Sequence, residues 1–245
     1  MTKRRGKPPR IPQLGNHGLD DVLHGYATAM SSQEPAQLEI LRRATWTQTV
    51  KPQMLCDELQ GRLIAMMSRM ITPSRVLELG TFTGYATACW TEGIVPGGTI
   101  DTVDVNDELQ AIQDLHWEAM DCAQHIRRWT GPAKDILSRR DLFETDQRLF
   151  DVVFIDADKE NQQWYVEWAI NHVNDNGWIV VDNVLWWGEV LRVANGESSD
   201  PLAKRIHDLN IFMKDNPELD NVLLPIRDGL QVARKVPRSA RSPKS

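Results

Sequence analysis

Hard oxygen donors follow two apolar runs of this chain, at positions where buried strands would end. Asp156 comes directly after the run VVFI, with Asp158 two residues further on, and Asp182 and Asn183 follow the run WIVV. Carboxylate and amide oxygens suit Mg²⁺, Mn²⁺ or Ca²⁺ rather than a metal that prefers thiolates. Lys159 adds a candidate proton acceptor, although it could instead be a surface lysine or an ion-pair partner of Asp158. The spacing therefore predicts a divalent-cation site with a base beside it, which is typical of an enzyme.

A glycine-bearing turn lies upstream of these residues, between an apolar run and a helical pattern. Gly80 and Gly84 bracket the residues TFT after the run VLEL. Glycine there allows the backbone to approach a ligand closely. Phe82 occupies the position of the second glycine of the G-x-G-x-x-G motif, which disfavours a bound pyrophosphate and hence an NAD-dependent dehydrogenase. The turn predicts a nucleoside-type site instead.

Two carboxylates accompany this turn. Asp104 ends the next apolar run, twenty residues after Gly84, where it would accept hydrogen bonds from both ribose hydroxyls or else cap the helix that begins near Asp107. Glu78 lies inside an apolar strand, and a buried carboxylate is costly without a partner. We expect that partner to be the amino end of a ligand or the backbone of the loop. The alternative is a surface-facing Glu78 on an edge strand.

The elements that would position these residues alternate between strands and helices. The sequence predicts strands at 75–79, 99–104, 125–130, 150–155 and 178–182, and helices near 34–48, 54–70, 84–93, 107–121, 133–141, 161–173 and 201–216. This alternation is typical of a parallel sheet that is covered on both faces and binds ligands at the carboxyl ends of its strands. Two further β-prone runs, 221–225 and 230–235, are joined by Asp228-Gly229, which indicates a hairpin. We therefore expect a single α/β domain whose doubly wound, mostly parallel sheet has an antiparallel C-terminal hairpin at one edge.

Two local patterns concern the helices near the N-terminus. Ser31 and Glu34 have the spacing of a capping box at the start of the first predicted helix. Met66, Met67 and Met70 recur with leucines at helical spacing in the second predicted helix. This periodicity predicts that the three methionines pack in the core.

The bulk composition indicates one large globular domain. The chain has 245 residues, of which 41% are hydrophobic and 25% are charged, and α/β domains of this length are common. No apolar stretch approaches the roughly 20 residues that cross a bilayer, so we expect no membrane-spanning segment. The domain should occupy residues 16–235, between basic tails at 1–15 and 236–245 that we expect to be disordered.

Charge is distributed unevenly along the chain. The formal net charge is −6, and the segments 1–10 and 234–245 each carry five basic and no acidic residues; removing these two +5 ends leaves −16 for residues 11–233. The acidic body should repel phosphates, so no nucleic-acid partner is expected. The basic N-terminus lacks the apolar region of a secretory signal.

The cysteines and histidines exclude several kinds of chemistry. Cys56, Cys89 and Cys122 are scattered and fit no C-x-x-C spacing, so we expect reduced, mostly buried thiols in a cytoplasmic protein. The six histidines form no H-E-x-x-H motif, and no G-x-S-x-G motif is present. Zinc hydrolysis and serine catalysis therefore have no sequence support.

The motifs taken together resemble the cation-dependent O-methyltransferases, which are typified by caffeoyl-CoA and catechol O-methyltransferases. The similarity extends from about residue 54 to residue 235 and rests on four ordered motifs, namely ELGTFTGY at 78–85, Asp104, FIDADKEN at 154–161 and DNVLW at 182–186 with Gly188. Four motifs in this order make the resemblance highly specific. There are two departures from the family pattern: Trp187 stands where the plant enzymes have an asparagine that contacts substrate, and Gln162 replaces a usual tyrosine.

The resemblance implies specific roles for residues of this chain. S-adenosylmethionine would be the methyl donor, bound by Glu78, Gly80, Thr81, Ala86, Asp104, Ala133 and Asp158, with Tyr165 nearby. The divalent cation, Mg²⁺ before Mn²⁺ or Ca²⁺, would be held by Asp156, Asp182 and Asn183. Lys159 would be the general base beside Asp156 in the catalytic centre. Trp186 and Trp187 would stack on an aromatic acceptor, or else form an ordinary apolar lid.

The sequence thus predicts an S-adenosylmethionine-dependent and divalent-cation-dependent O-methyltransferase. We expect its acceptor to be a small molecule, one hydroxyl of a vicinal dihydroxy aromatic of the catechol type. The alternative is a catalytically inactive, nucleotide-binding regulatory protein of the same fold. We also expect a cytoplasmic homodimer.

Overall fold

The computed structural model describes residues 19–139 and 149–240. Helices in these two ranges are α1 (Leu19–Met30), α2 (Ala36–Gln48), α3 (Glu58–Ile71), α4 (Tyr85–Thr91), α5 (Gln110–Ala119), α6 (Ala133–Leu137), α7 (Gln162–His172), α8 (Glu189–Ala194) and α9 (Pro201–Asp215). Strands are β1 (Arg75–Leu79), β2 (Thr99–Asp104), β3 (Ile126–Thr130), β4 (Phe150–Ile155), β5 (Val173–Asp182), β6 (Leu219–Leu224) and β7 (Leu230–Lys235). Short 3₁₀ turns lie at Pro52–Met54, Ala123–His125, Lys159–Asn161, Trp186–Gly188 and Arg238–Ala240. The predicted tail 1–15 and residues 241–245 of the second predicted tail lie outside the described ranges.

The strands form one seven-stranded sheet in the order β3-β2-β1-β4-β5-β7-β6. Strands β1 to β5 pair in parallel, and β7 pairs antiparallel with both β5 and β6. The chain winds outward from β1 in one direction and from β4 in the other, so the crevice between the carboxyl ends of these two strands is the place where such sheets bind ligands. The prediction of a doubly wound, mostly parallel sheet with an antiparallel C-terminal hairpin at one edge is confirmed. In the described ranges, no helix is both long and apolar enough to cross a bilayer.

Apolar side chains of the central strands alternate between the two faces of the sheet. On β1, Val76 belongs to the core cluster with α2 to α5, whereas Leu77 and Leu79 belong to the cluster with α6 to α9. Both faces of β1 are therefore covered, and all five of its residues are buried. This arrangement explains why the strand appears in the sequence as an almost continuous apolar run.

The first helices depart from the sequence-based expectations. Helix α1 was not predicted, and α2 begins after Pro35 without a side-chain cap. The predicted capping box is wrong, because Ser31 donates to the carbonyl of Ala27 at 2.7 Å and Glu34 accepts instead from the hydroxyl of Tyr85 at 2.6 Å. Glu34 thus makes a tertiary contact between the N-terminal segment and α4, and its side chain does not cap the start of α2.

Helix α3 begins four residues later than the predicted start at 54, after an N-cap that the sequence pattern did not indicate. Asp57 accepts a hydrogen bond from the backbone N–H of Gln60 at 2.9 Å. The prediction that the methionines pack in the core is wrong for Met66 and Met70, whose residues are 59% and 79% exposed. Met67 is partly buried and packs against the core, as predicted. The buried face of α3 carries Gln60, Gly61, Ile64, Ala65 and Ser68.

Most other boundaries agree with the sequence pattern. Strands β1, β2, β4 and β7 begin and end where predicted. The strand predicted at 178–182 begins earlier, at Val173. The polar residues from Asn174 onward also belong to β5, and the register against β4 is irregular in this part of the strand. The helix predicted at 133–141 ends at Leu137, and its last two residues lie outside the described ranges.

Gly80 gives a test of how tightly the ends of β1 and β4 approach each other. Its φ is +99°, and a Cβ added there would lie 2.2 Å from the carbonyl oxygen of Asp156. Gly97 has a φ of +78° with no atom within 4 Å of an added Cβ. Gly97→Ala should therefore lower the free energy of unfolding by about 1–2 kcal/mol, because alanine is strained in the left-handed conformation. Gly80→Ala should lower it by about 1–3 kcal/mol more, because its Cβ also collides with the backbone. Urea unfolding of both variants measures the difference, and equal losses would contradict the close approach.

Candidate active site

A cavity of about 910 Å³ opens at the carboxyl ends of β1, β2, β4 and β5. Most residues that the sequence singled out line it: Gly80, Asp104, Ala133, Asp156, Asp158, Lys159, Asp182, Asn183, Trp186 and Trp187. Four others do not contribute to the wall: Glu78, Thr81, Ala86 and Tyr165. The sheet thus brings the predicted nucleoside turn and the predicted cation ligands into one cavity, as expected from strands that end at the same edge.

Asp104 holds the glycine-bearing turn in place. One oxygen of its carboxylate, Oδ2, accepts from the backbone N–H groups of Thr81 and Phe82 at 2.9 and 2.8 Å. The other, Oδ1, accepts from the N–H of Asn106 at 2.9 Å. The alternative role as a cap for the following helix is wrong, because α5 begins only at Gln110. A carboxylate has about four acceptor positions, two on each oxygen, so Oδ2 is filled by its two bonds and Oδ1 keeps one lone pair that a ribose hydroxyl could use.

Glu78 is buried beneath the turn and does not face solvent. Its Oε2 accepts from the hydroxyls of Thr87 and Thr102, whereas Oε1 has no hydrogen-bond partner among the described residues. Burial raises the pKa of this carboxyl to about 8, although the two hydroxyls oppose the shift. The alternative of a surface-facing Glu78 on an edge strand is wrong, because β1 is an internal strand. Its expected contact with a ligand stays a prediction.

Asp182 is the most buried of the predicted cation ligands. Its Oδ1 accepts from the backbone N–H of Asn183 at 2.7 Å, and its Oδ2 accepts from Nε2 of Gln60 at 2.7 Å. Burial first, and the negative charge of Asp156 second, raise the pKa of Asp182 to about 7. Two carboxylates that repel each other at the edge of a cavity are a favourable place for a cation.

The donor chemistry fits a hard divalent cation. Asp156, Asp182 and Asn183 offer two carboxylates and one amide oxygen, which is a set that suits Mg²⁺ better than a soft metal. Within 19–139 and 149–240, no three His, Cys, Asp or Glu side chains form a group that could hold a metal ion. A site with only two carboxylates agrees with that result, because its third ligand would be an amide.

Lys159 contacts Asp156, one of the predicted cation ligands. Its Nζ lies 2.9 Å from Oδ1 of Asp156, and its side chain is only 15% exposed. The alternatives considered from the sequence, a surface lysine or an ion pair with Asp158, are both wrong. Asp158 instead accepts from the hydroxyl of Tyr165 at 2.5 Å and from the side-chain amide of Asn161 at 2.5 Å. Tyr165 therefore supports Asp158 from below the cavity wall.

The loop after β5 has an unusual backbone that the neighbouring hairpin holds. Asn183, Trp186 and Trp187 have φ values of 61°, 46° and 54°, and left-handed conformations at residues other than glycine persist only where surrounding contacts hold them. Asp228 supplies those contacts. Its Oδ1 accepts from the N–H of Trp187 at 2.5 Å, and its carbonyl accepts from the N–H of Leu185 at 2.8 Å.

The sequence pattern gave no site role to four residues that support the site. Asp228 was interpreted only as part of a hairpin turn. Gln60 and Arg227 had no assigned role, although Gln60 bonds directly to Asp182. Gln162 was noted only as a departure from a family pattern, and its Nε2 donates to the carbonyl of Asp182 at 3.0 Å. Side chains that act across such distances in the chain leave no local signal.

Comparisons with known proteins agree with this arrangement. A family model described as O-methyltransferase matches residues 28–236. The chain is 32% identical over 206 residues to a catechol O-methyltransferase of Mycobacterium tuberculosis, covering 82% of this chain and 84% of the relative. It is 27% identical over 245 residues to caffeoyl-CoA O-methyltransferase 2 of Eucalyptus globulus, covering 94% of this chain and 96% of the relative. A Bacillus cereus O-methyltransferase in complex with SAH has the same fold, with a TM-score of 0.76, 24% identity and coverage of 87% and 96%.

Glu78 gives a test of the buried carboxyl in the unliganded protein. Between pH about 4.5 and about 8 the folded state holds a proton that the unfolded chain releases. The free energy of unfolding should therefore fall as pH rises through this window, by up to about 1.4 kcal/mol per pH unit. Glu78→Gln removes the titration, so its stability should depend less on pH. Urea unfolding at half-unit pH steps measures both slopes.

Glu118→Gln is the matched control, because it makes the same chemical change at an exposed position of α5. It should leave the pH dependence of the parent protein unchanged. Parallel stability curves for the parent protein and Glu78→Gln would contradict the raised pKa.

Proposed function

We propose, from the premise that the chain belongs to the O-methyltransferase family, that it methylates one hydroxyl of a catechol-type acceptor with S-adenosylmethionine and a divalent cation. The observation that carries this proposal is the single cavity that Asp104 and Gly80 share with Asp156, Lys159 and Asp182. A methyl donor on the nucleoside side would meet an acceptor hydroxyl on the cation side. The methyl group would move from the sulfonium sulfur to the hydroxyl oxygen, which leaves S-adenosylhomocysteine.

The nucleoside side of the cavity would bind the methyl donor. The backbone at Gly80 lies open to a ligand, and the turn fixes the carboxylate of Asp104 so that the remaining lone pair of its Oδ1 can accept from the ribose. Asp158, oriented by Tyr165 at 2.5 Å, adds a negative charge beside a positively charged donor. The Bacillus cereus relative, whose structure contains SAH, supports this assignment by analogy.

The cation would be held by Asp156, Asp182 and Asn183. When bound, it would supply positive charge that stabilises a phenolate, whose parent phenol has a pKa of about 10. The residues of this chain would orient the acceptor and exclude water. Positioning of two reactants in line can by itself supply roughly 7–11 kcal/mol of the barrier reduction.

Lys159, in its neutral amine form, would take the proton of the acceptor hydroxyl and become an ammonium paired with Asp156. Its Nζ lies beside Asp156 in the same cavity. The amine would therefore lie close to an acceptor oxygen bound at the proposed cation. Trp186 and Trp187 would contact the aromatic ring of the acceptor. Trp187 is 82% exposed at the cavity, which leaves an indole face free to stack.

Assembly and location are further parts of this proposal. The three cysteines are free thiols and all are buried, which supports the expected cytoplasmic location. A homodimer stays a prediction. A catalytically inactive regulatory protein of the same fold is the alternative that turnover would exclude, and the retention of Asp156, Lys159, Asp182 and Asn183 argues against it.

Removal of the cation tests the proposed chemistry. Small catechols, flavonoids and hydroxycinnamoyl thioesters are incubated with S-adenosylmethionine in Mg²⁺, in EDTA, and in EDTA followed by excess Mg²⁺. Methyl transfer should disappear in EDTA and return with Mg²⁺. Asp182→Ala should lose activity while calorimetry shows nearly unchanged binding of S-adenosylhomocysteine, because the nucleoside side is formed by other strands. Full activity of the parent protein in EDTA would exclude the cation assignment.

Substitution of Lys159 tests the proposed base. Lys159→Met should lower the single-turnover rate of methyl transfer by about 10²–10⁴-fold at neutral pH, with cofactor and cation binding much less affected. Part of the loss should return as pH rises, because the acceptor hydroxyl then ionises without a protein base. The matched control is Lys204→Met, which removes an exposed lysine that is paired at 2.8 Å with Asp208 on α9. If Lys159→Met instead weakens S-adenosylmethionine binding and keeps a normal rate at saturation, Lys159 only organises the site.

A further inference from the structure

A buried glutamine on α3 contacts the cation ligand Asp182 from outside the strand that carries it. Gln60 is 1% exposed and lies in the first turn of the helix, 122 residues before Asp182 in the chain. Its Nε2 donates to Oδ2 of Asp182 at 2.7 Å, and its Oε1 accepts from Nη1 of Arg227 at 3.2 Å. Both ends of the amide therefore have a partner on a different element.

Arg227 determines which end of this amide faces the carboxylate. An amide rotated by half a turn would direct Oε1 at an oxygen of Asp182 and Nε2 at a guanidinium, which has no acceptor. Both contacts would then be repulsive. Because Arg227 can only donate, it holds the amide of Gln60 in the orientation that donates to Asp182.

Gln60 and its two partners are held by further backbone contacts. The N–H of Gln60 is capped by Asp57 at 2.9 Å. Arg227 also donates to the carbonyl of Leu55 at 2.8 Å, so the hairpin turn and the start of α3 are joined. A side chain fixed in this way loses little further freedom when it orients a ligand-binding group.

The amide orients the carboxylate of Asp182 without cancelling its charge. Gln60 occupies one lone pair of Oδ2, and the N–H of Asn183 occupies one lone pair of Oδ1. About two of the four acceptor positions of the carboxylate stay free. A lysine or arginine at the position of Gln60 would compete with a cation for the same negative charge, whereas a neutral amide does not.

We propose that Gln60 is a positioning residue, which holds the carboxylate of Asp182 in the orientation that binds the divalent cation, and that Arg227 fixes the amide of Gln60 for this purpose. This inference rests on the proposed function, because it requires that Asp182 bind a cation. It adds an outer partner on α3 and one on the hairpin turn, and the second of these, Arg227, also lines the cavity. Outer partners of this kind commonly contribute 10- to 100-fold to metal affinity.

The test compares cation affinity in two variants that each lose a buried glutamine amide. Gln60→Met keeps the length of the side chain and removes both hydrogen bonds. Gln231→Met is the control, because Gln231 is 3% exposed and its Nε2 donates to Asn221 on β6 at 2.6 Å. Binding of Mn²⁺ to metal-stripped protein is followed by the electron paramagnetic resonance signal of free Mn²⁺, and binding of S-adenosylhomocysteine by calorimetry.

Gln60→Met should weaken Mn²⁺ affinity by about 10- to 100-fold and leave the dissociation constant of S-adenosylhomocysteine unchanged. Gln231→Met should change neither affinity, even if it lowers the melting temperature as much as Gln60→Met does. Arg227→Met, a change at a partly exposed side chain, should weaken Mn²⁺ binding in the same direction by less. If Gln60→Met does not fold, the Mn²⁺ affinity of Arg227→Met tests the inference in its place.

Three results would overturn the inference. If Gln60→Met or, where that variant does not fold, Arg227→Met binds Mn²⁺ as tightly as Gln231→Met, then Gln60 has only a packing role. If Mn²⁺ and S-adenosylhomocysteine affinities fall together, the substitution has disturbed the whole cavity. If the parent protein binds no Mn²⁺, the proposed cation function fails together with this inference, and that outcome is separate from the first two because it appears in the parent.

Discussion

The pairing of β1 with β4 is the contact on which the rest of the site depends. These strands are parallel neighbours, with Leu79 opposite Ile155, although more than seventy residues separate them in the chain. The residues that follow, Gly80 and Asp156, approach so closely that a Cβ on the glycine would collide with the carbonyl of the aspartate. The proposed nucleoside turn and the first proposed cation ligand therefore meet at one point of the sheet edge.

A second constraint is the accumulation of carboxylates at this edge. Burial raises the pKa values of Glu78 and Asp182 to about 8 and about 7, and it also raises that of Asp228. Carboxylates can be retained in such a place because hydroxyl, amide and backbone donors satisfy part of their needs. The remaining negative charge is directed at a cavity whose proposed occupants, a sulfonium and a dication, are both positive.

The proposed acceptor side of the cavity depends on elements that lie outside the parallel part of the sheet. The hairpin turn between β6 and β7 contributes Asp228, which holds the left-handed loop that carries Trp187, and Arg227, which contacts Gln60 on α3. Loops and turns of this kind vary more readily than buried strands.

The sequence alone determined the fold class and most strand boundaries, and most of the site residues that it singled out line the cavity. Buried parallel strands appear as apolar runs with polar residues at their ends, and this is a local signal that can be interpreted without knowing any neighbour. The tertiary structure alone decided which side chains support the site. The bond from Gln60 to Asp182 crosses 122 residues and that from Asp228 to Trp187 crosses 41, and such contacts arise from the order of strands and the docking of helices. Local periodicity indicates which positions of an element are buried, but it does not indicate which residues they contact. For the same reason periodicity placed Met70 in the core, whereas α3 packs against the core through another face and leaves Met70 exposed.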